Sequence, residues 1–247
     1  MSDRLHFADS GEAADLAAFL GRLVHYDRAA AVRLQGAPAA PVPSGEGGGA
    51  LAVFGRPPSF EVLAIRTVRL AEPVGAPLDR TVSAGEFLES VDEAAAAATV
   101  PGAVTGPPWT GVLPPRGGWR QLPGLPGPEE IRTAVAGAVA EFRSRDEALP
   151  AQHRTRSERD RIGREIWSRT LGDTELPLRA VHAAQSLGFL RPVRSTVPAA
   201  GPVSTGPAPL ALLAAGSWLR LRTPYGSVAM RRPGHTDALG ALQVRPV

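Results

Sequence analysis

Five histidines, His6, His25, His153, His182 and His235, are the side chains whose ordinary titration falls near neutral pH. No two of them have metal-ligand spacing, and none stands beside a carboxylate as in known zinc motifs. The chain has no cysteine, which excludes disulfides, thiolate catalysis and Cys-ligated zinc. It has no lysine, so a GxxxxGK phosphate loop is excluded, and neither GxGxxG nor a GxSxG elbow occurs. The GEGGG run at 45–49 reads as a flexible loop. His25 sits in the last turn of an expected helix, where the dipole favours an imidazole, and His182, beside Val181 and Leu187, reads as a partly buried structural residue. Glu129 and Glu130 are adjacent on a helix and do not face each other, so they read as first-turn charges. No catalytic, cofactor-binding or metal-binding residue is assigned, and no cofactor is implied. An enzyme would need two or more of His25, His153, His182 and His235 to meet in a pocket.

Arginine carries all 27 basic charges. The sequence pI of about 10.4 therefore reflects the choice of arginine more than a charge excess, because the formal net charge is only +3. The charge is uneven: net −5 over residues 1–100 and +8 over residues 152–247. Two halves attracting each other explain this, and so does an anion-binding C-terminal half. The second reading has a shape. A helix pair at 154–171 and 178–188, followed by a hairpin, has the element order of a winged-helix DNA reader. Arg179 would sit on the recognition helix, and Arg220, Arg222, Arg231 and Arg232 would project from the wing to phosphates. Exposed arginines on a solvated sheet face account for the same residues.

Residues 99–127 carry Trp109 and Trp119 in PPWTGVLPPRGGWRQLPGLPGP. A disordered linker rarely carries two tryptophans with Leu113, Leu122 and Leu125. The segment reads as an ordered strap. Trp109 and Trp119 are either contacts for a partner, as in polyproline recognition, or pins that hold a cover over an exposed core.

The elements that must position these residues are α+β. A helix is expected from Ser10 to His25, with Ser10 as N-cap and Leu16, Phe19, Leu20 and Leu23 as its buried stripe. Strands at Ala31–Gln35, Ala50–Phe54 and Phe60–Leu70 form an antiparallel meander on it. Ser83–Glu86 is a capping box for a helix burying Phe87, Leu88, Val91 and Ala95. Pro128 and its acidic first turn start a helix to about Glu147. An Arg-rich helix follows at Arg154–Leu171, with i,i+4 pairs Arg154–Glu158, Arg156–Asp160, Arg161–Glu165 and Glu165–Arg169. A helix at Leu178–Leu187 ends at Gly188. A hairpin, Trp218–Arg222 and Val228–Arg232, places Leu219 and Leu221 on one face and Trp218, Arg220 and Arg222 on the other. This gives an α+β unit at 1–98, the strap at 99–127, and a mostly helical unit with a terminal hairpin at 128–247. Each unit ends a helical part with a hairpin, a hint of repetition that residue identity does not support.

The stretches FEVLAIRTVRL, LPPRGGWRQLPGLP and GSWLRLRTPYGSVAMRR resemble an actinobacterial family of conserved proteins of unknown function. The resemblance implies a GC-rich actinobacterial origin and a cytoplasmic location, and it implies no activity. No signal pattern opens the chain and no apolar run is long enough for a bilayer, so no membrane partner is expected. The first functional expectation is a non-catalytic binding protein with a protein partner. The alternatives are a nucleic-acid-binding regulator using the basic half, and an enzyme with a dispersed site.

Overall fold

The computed structural model describes residues 3–38, 48–192 and 209–232. The run at 45–47, the stretch 195–208 and His235 lie outside them. A short strand β1 (Arg4–His6) leads into helix α1 (Ser10–Tyr26). The helix is capped by Asp9, one residue before the expected Ser10. Asp9 is extended, and its carboxylate accepts the N–H of Glu12 at 2.9 Å. Ala13, Leu16, Phe19, Leu20 and Leu23 form the buried stripe.

Strands β2 (Ala31–Gly36), β3 (Gly49–Gly55) and β4 (Leu63–Leu70) make the expected antiparallel meander. β4 starts three residues later than the sequence suggests. Ser59 and Glu61 hold φ of +69° and +53°, which turns Phe60 out of the ladder. A fourth strand, β5 (Leu78–Ser83), pairs with the outer edge of β2. Helix α2 (Ala84–Glu89) begins at its expected Ser83 cap but lasts only six residues. Ser90 Oγ donates to the Phe87 and Thr99 carbonyls, and Asp92 Oδ1 accepts from Ala95 N. Val91 and Ala95 thus leave the helix, and β6 (Ala97–Thr99) pairs with β1.

The C-terminal part contains β7 (Arg120–Leu122), α3 (Pro128–Glu147), α4 (Arg156–Trp167), α5 (Leu178–Ser186), β8 (Ala211–Ala215), β9 (Trp218–Thr223) and β10 (Gly226–Arg231). α4 starts at the Thr155 cap, not at Arg154. Arg154 turns back and donates to the Glu147 and Leu149 carbonyls, so it closes α3 and does not pair with Glu158. α5 ends at Gly188, with φ +74° and Phe189 N donating to Ala184 O. A Cβ there would lie 2.9 Å from the Arg22 guanidinium carbon.

All eight main strands join one antiparallel sheet, in the order β5-β2-β3-β4-β10-β9-β8-β7. The last strand of each meander meets the other at the β4–β10 seam. The apolar run before the expected hairpin is itself β8, so β9 lies between two strands and β10 is bound to β4. The hairpin is interior to the sheet and is not a projecting wing.

The sheet has two covered faces. On one, α1 lies over β4 and α5 over β10, around Val32, Leu34, Leu51, Val53, Leu219, Leu221 and Val228. Phe19 of α1 meets Phe189 across the seam at 5.6 Å. On the other, Phe54, Leu63, Ile65, Trp218 and Ala229 are covered by Trp109, Leu113 and Trp119 of the strap. Val104 N donates to Thr81 O at 2.9 Å, and the Arg33 guanidinium donates to Thr110 O, so bonds to strap backbone groups tie it down.

One charge lies inside the helix-covered face. Arg66 of β4 is 5% exposed. It donates to Glu12 at 2.8 Å and Asp15 at 3.2 Å on α1, and to the Tyr225 carbonyl at 2.8 Å in the β9–β10 turn. Asp15 also pairs with Arg191. Breaking a buried pair by removing one partner leaves an uncompensated charge and costs about 3–5 kcal/mol. Arg66→Ala is expected to destabilise the protein by about that amount, read as a lower urea midpoint. A loss under about 1 kcal/mol, the value of an exposed pair, would contradict the clamp.

Candidate functional site

Helix α3 brings Phe142 and α4 brings Trp167 to the outer side of the helical layer, where α5 adds His182. The left-handed residues Ser59 and Glu61 aim Phe60 at them from the N-terminal part. The result is a cleft of about 810 Å³, lined also by Arg159, Arg164 and Arg179. Its floor is a stack: the Trp167 and His182 rings are 4.4 Å apart and 17° from parallel. Phe60 meets His182 edge-on at 5.3 Å, and Tyr26 meets Phe60 edge-on at 5.9 Å. Such pairs contribute about 0.5–1.5 kcal/mol beyond burial.

Burial pushes the His182 imidazole below its usual range, so at neutral pH it is an uncharged ring of the floor. The cleft's carboxylates are occupied. Glu61 lies 3.4 Å from Arg179 Nε, and Asp160 lies 3.8 Å from Arg156. Arg159 is held by Asp146 at 2.7 Å. The Arg164 side chain has no hydrogen bond or ion pair among the described residues, which leaves one uncommitted cation at the rim. The arrangement accepts an apolar or aromatic group on its floor and an anion beside it.

A surface network fixes the angle between α3 and α4. Arg145 holds Glu165 with two bonds, 2.8 and 2.7 Å. Arg169 holds Glu141 at 2.6 and 2.8 Å. Of the expected pairs on α4, Arg156–Asp160, Arg161–Glu165 and Glu165–Arg169 form at 3.8, 4.0 and 3.5 Å.

Residues 1–111 match the family model described as Domain of unknown function (DUF8010), and residues 114–235 match Domain of unknown function (DUF8185). The two matches lie one after the other along the chain. No curated protein and no solved structure matches it. The junction between DUF8010 and DUF8185 falls inside the strap. The cleft takes Phe60 from the first domain and Phe142, Trp167 and His182 from the second, so neither domain completes it alone.

The five arginines singled out in the sequence do not share a surface. Arg179 is at the cleft. Arg220 and Arg222 lie on the strap-covered face, as expected from the strand alternation. Arg231 lies over the Trp218 ring at 4.6 Å, and Arg232 is bound to Glu175 at 2.6–2.9 Å. The four described histidines do not converge either. His25 contacts Tyr26 at the far end of the aromatic row, His153 lies in the exposed turn Ala151–His153, and His6 is in β1. Among the described residues no group of three His, Asp or Glu is placed to hold a metal. No described helix is long and apolar enough to cross a membrane. Phe60, Arg164 and Trp167 were invisible as a site in the sequence; PPS before Phe60 signals a turn but not its direction.

Arg145 chiefly, by hydrogen bonding, pulls the Glu165 carboxyl down to about 2. A folded-state value below the unfolded one, about 4.3, means the bond stabilises fully above that value. The contribution is lost as pH falls through about 2. Glu165→Gln is therefore expected to melt below the parent at pH 7, with the difference shrinking between about 4.3 and about 2. A difference that does not change with pH would contradict this role.

Proposed function

We propose that the protein is a non-catalytic binding protein whose cleft receives an apolar side chain of a partner protein next to an acidic group. The observation that carries the reading is the Trp167–His182 stack faced by Phe60. A flat aromatic floor gives large contact area at low entropic cost, as anchor pockets of protein interfaces do. The position of the cleft at the meeting of two domains fits a binding site. The uncommitted Arg164 supplies the complementary charge. His182 has no carboxylate or hydroxyl partner within hydrogen-bonding distance among the described residues, so its environment favours packing over proton transfer.

The test compares the parent with Arg164→Glu and Phe60→Ala in affinity capture from cells of its source, with partners identified by mass. A protein held by the parent and lost by both variants is expected. Capture that neither variant weakens would overturn the reading. A parallel titration of a generic duplex of about 30 bp is expected to show no binding at low salt; steeply salt-dependent binding would favour the nucleic-acid alternative.

A further inference from the structure

Arg220 sits on β9, on the strap-covered face, between Leu213 of β8 and Ala229 of β10. It is half-buried, and its Nε is shielded from solvent with no hydrogen-bond partner. Among the described residues no carboxylate pairs with it; its contact is the Trp119 ring, 5.7 Å away. Burial, and then the neighbouring Arg222, lower its pKa, which shows that the charge is poorly compensated. Burying a guanidinium without an anion is unfavourable, so a fold that retains one at the centre of a sheet needs an account.

The guanidinium opens on a groove of about 550 Å³ between the sheet and the strap. This lies within the range of about 300–1,000 Å³ of small-molecule sites. Phe54 and Ile65 give the groove an apolar floor, Pro114 and Pro115 of the strap give it a wall, and Thr67 adds a hydroxyl. Its one carboxylate, Asp79, is taken: Arg33 holds it at 2.6 and 2.8 Å and Gln35 at 3.1 Å. Arg116 on the strap is a further cation at the groove, close enough to act on Asp79. The groove is therefore a positively charged, partly desolvated slot with two guanidiniums, Arg220 and Arg116, that no carboxylate among the described residues pairs, on the opposite side of the sheet from the aromatic cleft.

We infer that the groove beneath the strap binds a small molecule that carries an oxyanion on an apolar body, with the oxyanion on Arg220. Carboxylate and phosphate share the planar, bidentate chemistry that a guanidinium recognises. The apolar body lies on Phe54 and Ile65, and Pro114 and Pro115 close over it. This site is independent of the protein-binding cleft, and either can fail without the other.

The test uses the full chain and three probes: inorganic phosphate, phenyl phosphate and benzoate. Each is titrated at millimolar concentration while melting temperature is followed, since a ligand that binds only the folded state stabilises it. Phenyl phosphate, benzoate or both are expected to raise the melting temperature saturably and more than inorganic phosphate does. Which of the two acts identifies the anion. Arg220→Met is expected to weaken that binding at least tenfold. The same variant, without ligand, should melt at or above the parent temperature, because it removes a half-buried charge that no carboxylate pairs. Equal shifts in the parent and Arg220→Met would be a general salt effect and would overturn the site. So would no shift with either aromatic probe, equal action of inorganic and phenyl phosphate, or a clear loss of stability in ligand-free Arg220→Met.

Discussion

Arg66 carries a charge where the fold has no solvent to receive it. Its side chain is 6% exposed, and its partners Glu12 and Asp15 belong to the first helix. Its third partner is the Tyr225 carbonyl, in a turn 159 residues further along. Because an unpaired charge in that position would be strongly unfavourable, α1, β4 and the β9–β10 turn must be placed together. The β4–β10 seam then has its register on the helix-covered face, Asp15 engages Arg191, and Phe189 seats against Phe19. The acidic N-terminal part and the basic C-terminal part do attract each other at this point, through named residues.

A single sheet of eight strands built from two meanders has two apolar faces. The five described helices all bury their apolar side chains in the core on one of them. The other face would expose Phe54, Leu63, Ile65 and Trp218, a patch that invites association. The Pro/Gly-rich strap answers this with few residues. Proline keeps residues 101–115 outside the ladder, Arg120–Leu122 then joins it as β7, and tryptophan and leucine supply area. The anchor from Arg33 to Thr110 explains why a segment with so little secondary structure lies in one path.

Both candidate sites follow from this plan. The aromatic cleft needs the left-handed turn at Ser59 and Glu61 from the DUF8010 part and three helices from the DUF8185 part. The groove needs β2–β5 from the first part and β9 with the strap from the second. Each of these concave surfaces takes residues from both matched parts of the chain. Their chemistry differs. The cleft offers uncharged aromatic surface with a cation at its rim, and the groove offers a cation at its centre with apolar surface around it.

The sequence by itself determined the local elements. Helical stripes place α1 and α3, alternation places β2, β9 and β10, apolar or β-branched runs place β3 and β4, and caps such as Ser83 and Gly188 mark several ends. It also determined which side of β9 faces the core, because strand side chains alternate strictly. It could not show that Arg66, in the middle of a strand read as apolar, is matched by Glu12 and Asp15, since a pairing over 51 and 54 residues leaves no local pattern. β5 leaves no such signal because Asp79 and Arg80 interrupt its apolar alternation, and their partners Arg33 and Asp3 are distant in sequence. The five prominent arginines looked like one basic surface in the one-dimensional order. Arg220, Arg222 and Arg231 do share the strap-covered face of the sheet, but pairing β10 with β4 makes that face interior, while Arg179 lies at the cleft and Arg232 is bound to Glu175. That pairing is decided by packing and buried charge, which only the tertiary structure contains.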